Sequence, residues 1–327
     1  MALESIAATL NHTEAMAAMR LLVAVAKADD HVHDDELKAL EAALAALPVP
    51  VGATLNKATL DNLFAETHEV ADLLAEIESQ AAKEQVYLSM YSMAYADGDC
   101  SPVEQSLLDH AKEILGIGDD KQGLLDRLYS ETKDTVLLSN ITAITDPAKR
   151  ATEIQEDTLK YAILSAVLGA FPVPGIAILT DLAVIGLQVK LVRDIGQYHG
   201  HTVDKQAAKT LLGALGVGTG VRLAVNNIAK LLPGWGSVVG ASTSFASTFA
   251  LGKIASRYFE GGAKGDPQSL REDFQAAEKE GKAAYEKNKA AVEEKRKANE
   301  PKLQALADDV KAGRITQDEY QTKVAAL

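Results

Sequence analysis

Ala28-Asp29-Asp30-His31-Val32-His33-Asp34-Asp35-Glu36 returns 68 residues later as Ala96-Asp97-Gly98-Asp99-Cys100-Ser101-Pro102-Val103-Glu104. In both copies an apolar run of helical periodicity ends in Ala-Asp and a short polar loop follows. A Glu lies seven residues beyond the Asp. The first part of the chain therefore reads as two helix–loop–helix units, each loop flanked by carboxylates.

Working outward, residues 14–28 place Met16, Met19, Leu22, Val23 and Ala26 at helical spacing. A second helix should open near Asp34 or Asp35 and run to Leu47, where Pro48-Val49-Pro50-Val51-Gly52 stops it. Residues 57–80 read as further helix, with Leu60, Phe64, Val70, Leu73, Leu74 and Ile77 as its stripe. The second copy opens near Lys83, and its loop leads into the stronger helix start. Ser101 is a capping serine, Pro102 sits at the first helical position and Glu104 completes a capping box. The first copy has His33 and Asp34 at those two places, a weaker cap.

The composition agrees with helices. The chain is 47% hydrophobic but only 5% aromatic, with much of the apolar content alanine, which favours packed helices over strands. Its 327 residues leave room for two or three domains. Residues 1–150 carry 26 acidic and 11 basic side chains, a net −15, while 151–327 carry 20 and 22, a net +2. The first part should attract cations and repel nucleic acid. Cys100 is the single cysteine, so no internal disulfide forms. Met1–Leu10 contains Glu4 and no basic region, unlike a secretory signal; the expected compartment is the cytoplasm.

Asp29, Glu36, Asp97 and Glu104 are the candidate metal ligands. Two Asp–Glu pairs brought together would offer oxygen donors alone, which suit Ca²⁺ or Mg²⁺. The alternative is that each Asp stops a helix and each Glu completes a capping box. The spacing is not that of an EF-hand, since the twelfth position from Asp29 is Leu40. His31 and His33 form a His-x-His pair of the kind that binds zinc, or are exposed loop residues. Cys100 lies beside Asp97 and Asp99, whose charge disfavours a reactive thiolate.

The doubled Ala-Asp-x-x-x-x-x-x-Glu units resemble the tellurite-resistance TerB-like family over roughly residues 12–143. The resemblance implies repeated helix pairs with facing acidic residues and a role in metal or stress responses. Asp29, Glu36, Asp97 and Glu104 occupy the matching positions. Gly98 keeps the glycine that usually follows the Asp, whereas Asp30 replaces it in the first loop.

Beyond this, Leu124, Leu125, Leu128, Val136, Leu137 and Ile141 suggest one more helix, and Asp146-Pro147 caps and opens another. Tyr161–Thr180 has no charged residue and is broken by Phe171-Pro172-Val173-Pro174-Gly175; a second long uncharged run covers Leu231–Gly252. These features, with Gln188, Tyr198-x-Gly200, Leu232-Pro233-Gly234-Trp235-Gly236 and Tyr258-Phe259-Glu260-Gly261-Gly262, resemble the domain of unknown function of YcjF-type and GTPase-associated membrane proteins. The resemblance implies contact with a membrane or a GTPase partner. Both runs reach the length of a membrane span, but prolines and polar residues interrupt them, so a compact or peripheral domain and an inserted one both stay open. Gly216-x-x-x-Gly220 and Gly236-x-x-x-Gly240 permit close helix contact in either. No P-loop motif occurs.

Asp266-Pro267 opens a helix dense in Glu and Lys, read as an exposed arm or weak coiled coil, and Pro301 should end it. Residues 301–327, with Gly313 as a helix stop and Thr316 with Glu319 as a capping box, resemble the short C-terminal module called SHOCT. That resemblance implies oligomerisation or docking.

The chain thus reads as an all-α, multi-domain protein: an acidic TerB-like domain at 1–145, an apolar glycine-rich domain at 146–262, a charged arm at 263–300 and the C-terminal module at 301–327. The function expected is non-enzymatic: a cytoplasmic stress-response protein that holds a divalent cation, touches the inner membrane peripherally or binds a protein partner, and forms a homo-oligomer. A polymer-forming scaffold without metal is the alternative. A metal-dependent hydrolase is a third reading, without a nucleophile–base signature to support it.

Overall fold

A computed structural model describes residues 11–28, 32, 37, 40, 57–95, 100–134, 137, 141–171, 177–215, 217 and 237–327. The described residues are helical, with no strand among them. They fall into two compact units, one within 11–123 and one comprising 124–217 and 237–327. Of the expected helix from Asp34 to Leu47 only Leu37 and Leu40 are described, both helical and Leu40 buried; the rest of it and the corner at 172–175 lie outside the described residues.

In the first unit, α1 (His12–Ala26) and α4 (Gln80–Ala94) are the interior helices. The single stripe expected for α1 understates its burial. Ala15, Ala17, Ala18, Leu21, Leu22 and Val25 are all buried, so the helix is covered on nearly every side. Alanine on those faces lets the neighbours α2 (Lys57–Ala65), α3 (Val70–Ala75) and α4 come close. α5 (Pro102–Leu115) closes the unit against α3 and α4 through Leu108, Ala111 and Leu115.

The continuous helix expected over 57–80 is interrupted. The chain leaves helical geometry at Glu66–Glu69, and Ser79 caps a new start. The cause is tertiary. Lys27 Nζ donates to the Phe64 carbonyl at 2.7 Å, and Arg20 Nε donates to Glu66 at 2.8 Å. Arg20 of α1 and Lys27, the residue that follows that helix, thus bind the end of α2 and hold it there.

The second unit begins within α6 (Asp119–Asp134) and is built on α7 (Pro147–Ala170), α8 (Ala177–Tyr198) and α10 (Ser237–Glu260). Asp146 accepts from the Ala148 and Lys149 amides and starts α7 as its sequence implies. The three long helices pack mutually, with α9 (Lys205–Ala214) against α8. α7 and α10 approach at glycine: a Cβ on Gly169 would stand 2.5 Å from the Gly240 carbonyl oxygen. Buried polar groups fix the register. Gln188 Nε2 donates to Ser247 Oγ and Thr248 Oγ1, both at 3.0 Å. Asp194, buried, accepts from Lys190 Nζ at 2.7 Å and from the Tyr161 hydroxyl at 3.2 Å. Burial, then the charge of Asp194, pushes the Tyr161 phenol far above its ordinary range.

The charged segment is not an exposed arm. α11 runs unbroken from Pro267 to Lys311 with Pro301 inside it, and it packs on α10 and α7. Phe274, Ala277, Tyr285 and Val292 are buried, and a Cβ on Gly281 would sit 2.7 Å from the Ala246 carbonyl oxygen. Beyond Pro301 the same face continues through Leu303, Ala307 and Val310, so burial offsets the roughly 3 kcal/mol that an interior proline costs. α12 (Gln317–Ala325) folds back against α8 and α11. No described helix is long and apolar enough to cross a membrane.

Glycine substitutions test this packing with opposite signs. Gly169→Ala forces a methyl into backbone and should destabilise by roughly 1–3 kcal/mol despite alanine's better helix propensity. Gly123→Ala, where a Cβ meets nothing within 4 Å, should stabilise by up to about 1 kcal/mol. Urea unfolding curves of the two variants decide it.

Candidate functional site

The four candidate ligands flank the two loops. Asp29, Glu36 and Asp97 lie outside the described residues, as do His31 and His33. Glu104 is described, and it is buried in the first turn of α5. Its Oε2 accepts the Ser101 amide at 2.7 Å, while its own amide donates to Ser101 Oγ at 3.2 Å. The capping box expected from Ser101-Pro102-Val103-Glu104 is therefore formed. A carboxylate has about four lone-pair sites, so a role as cap and a role as ligand are compatible. Cys100 is half-buried, with Sγ 3.7 Å from the Ser101 carbonyl oxygen and 3.9 Å from Gln105 Oε1. Among the described residues no group of three or more His, Cys, Asp or Glu forms a metal-binding cluster.

A second buried glutamate ties together the starts of the two helices that lead into the loops. Glu14 occupies the capping-box position of α1: Oε2 accepts the Asn11 amide at 2.9 Å, and Asn11 Oδ1 accepts the Glu14 amide at 3.0 Å. Its other oxygen, Oε1, accepts the Glu78 amide at 3.1 Å, immediately before the cap of α4. The first turns of α1 and α4 are thereby tied at one corner. Both helices run 15 residues from it, about 22 Å, and they pack on each other. One ends at Ala26 and the other at Ala94, just ahead of the two Ala-Asp loops. Sequence reasoning missed Glu14, although Asn11-His12-Thr13-Glu14 has the same cap-x-x-Glu form as the start of α5.

Several other charges in the unit form ion pairs. The Arg20 guanidinium, and after it His68, hold the Glu66 carboxyl below its ordinary range. Lys112 pairs with Asp119 at 2.5 Å and Lys121 with Glu84. The Arg20–Glu66 pair joins segments 46 residues apart, a link no local pattern discloses.

Truncation separates buried from exposed capping boxes. Glu14→Ala leaves the Asn11 and Glu78 amides without their acceptor and should cost roughly 2–4 kcal/mol. Glu319→Ala, at the solvent-exposed box of α12, should cost about 1 kcal/mol or less. Chemical denaturation of the two variants measures the difference.

No curated protein and no solved structure matches the chain. Residues 14–126 match the family model described as Tellurite resistance protein TerB, a span that takes in nearly all of α1, both Ala-Asp loops, α2 to α5 and the first half of α6. The first unit is therefore similar to TerB.

Proposed function

We propose that this chain is a non-enzymatic, tellurite-resistance-like stress-response protein whose first unit binds a divalent cation, Ca²⁺ or Mg²⁺, through Asp29, Glu36, Asp97 and Glu104. The carrying observation is the shared corner of α1 and α4. Helices of equal length, tied at their first turns by Glu14 and packed together, each lead to an Ala-Asp loop. The −15 net charge of residues 1–150 and the match to TerB support the same reading. Oxygen donors alone favour a hard cation over zinc or copper.

In this reading the second unit is the adaptor. Its YcjF-like features suit a peripheral seat on the cytoplasmic side of the inner membrane or a protein partner such as a GTPase, and its SHOCT-like end joins copies into a homo-oligomer. A second reading has its own support: Glu104 already serves as a cap, so the carboxylates would only start and stop helices in a polymer-forming scaffold without metal.

Calorimetric titration of the full chain at neutral pH separates the two. Wild type should bind Ca²⁺ or Mg²⁺, and Asp29→Ala/Asp97→Ala should lose the binding. Absence of binding in wild type, or the same binding in the variant, leaves the capping scaffold standing.

A further inference from the structure

The last helix is held to the second unit by an unusual combination of contacts. Its buried face consists of Gln317, Tyr320, Gln321 and Val324. Both amide atoms of Gln317, both of Gln321 and the Tyr320 hydroxyl are buried without a hydrogen-bond partner among the described residues. Gln317 and Tyr320 have no exposed surface, and Gln321 has 2%. Gly186 on α8 makes room for the Gln321 amide, since a Cβ there would overlap Gln321 Oε1. A stranded polar group loses its bonds to water on docking and regains them on release. Three of the four docked side chains therefore favour the undocked state in part, and a nine-residue helix has little stability of its own.

Release is opposed by the burial of Val324 and the Tyr320 ring, and by a polar clamp on the turn before α12. Arg127 Nη2 donates to the Val310 carbonyl at 2.8 Å, at the end of α11. Glu131 Oε2, one turn along α6 from Arg127, accepts the Gln317 amide at 2.7 Å, at the start of α12. Between them Gly313 turns the chain in the left-handed region, with φ of 66°. One face of α6 thus grips both sides of the turn. By contrast, α11 upstream is anchored by apolar side chains such as Phe274, Tyr285 and Val292.

We infer that α12 is a strap: it undocks from α8 as a local unit while the long helices stay folded, and the Arg127–Glu131 clamp sets how often it does so. Opening bares the α8 surface around Gly186 and hydrates the two glutamine amides. The device belongs to the second unit alone and does not rest on cation binding.

Amide hydrogen exchange of the full chain, read by mass spectrometry, tests it. Residues 317–325 should exchange about a hundredfold or more faster than residues 245–251 of α10 under native conditions. Gln317→Met/Gln321→Met keeps helix propensity and side-chain length but removes the stranded amides, and should slow exchange of α12 about tenfold. Arg127→Ala should speed it while leaving α10 unchanged. Exchange of α12 at the α10 rate in wild type would overturn the proposal. So would unchanged or faster exchange in the Met variant, and no response to Arg127→Ala would remove the clamp.

Discussion

A helix start leaves backbone N–H groups with no partner inside the helix, and in an all-helical chain that deficit recurs at every element. Here polar side chains answer it: Asn11, Ser79, Ser101, Asp146, Asp204, Asp266 and Thr316 each accept from an amide of the turn they open. Glutamates complete three of these starts as capping boxes, at Glu14, Glu104 and Glu319. Glu14 and Glu104 are buried, which raises the consequence of losing them, because an amide stranded away from water costs more than an exposed one.

Glu14 makes that local requirement tertiary. With one oxygen on Asn11 and the other on Glu78, 64 residues away in the chain, it joins the starts of two helices. Small residues on α1 then allow close packing around it. In the same acidic unit some carboxylates accept backbone amides, while others flank the Ala-Asp loops in sequence. Cation binding would then be linked to folding of the same unit, since its ligands come from segments far apart in sequence.

Features set by residues three or four apart were legible in the sequence. Ser101 with Glu104, Thr316 with Glu319, and the Asp-Pro starts at 146 and 266 all form as their spacing implies. Asn11 with Glu14 was equally local and was overlooked because it precedes the apolar run. The break after Ala65 was not legible, because Lys27 and Arg20 act on it from another helix. The burial of α11 was hidden by its charge: a thin stripe of Phe274, Ala277, Tyr285 and Val292 runs between dense Glu and Lys. Pro301 suggested an end where continued burial carried the helix on. Gly240 stood out as a small-residue site, but its partner Gly169 did not, since only the fold brings them together. Of the candidate site, the role of Glu104 as a cap was legible, and Asp29, Glu36 and Asp97 lie outside the described residues.

The central claim is that the first unit's paired carboxylates take up a divalent cation. Thermal unfolding of the full chain with and without Ca²⁺ or Mg²⁺, beside Asp29→Asn/Asp97→Asn, tests it most directly. Binding to the folded state at a hundred times its dissociation constant adds about 2.7 kcal/mol, so wild type should melt at a higher temperature with the cation and the variant should not. A melting temperature indifferent to both ions, or an equal rise in the variant, would contradict the claim.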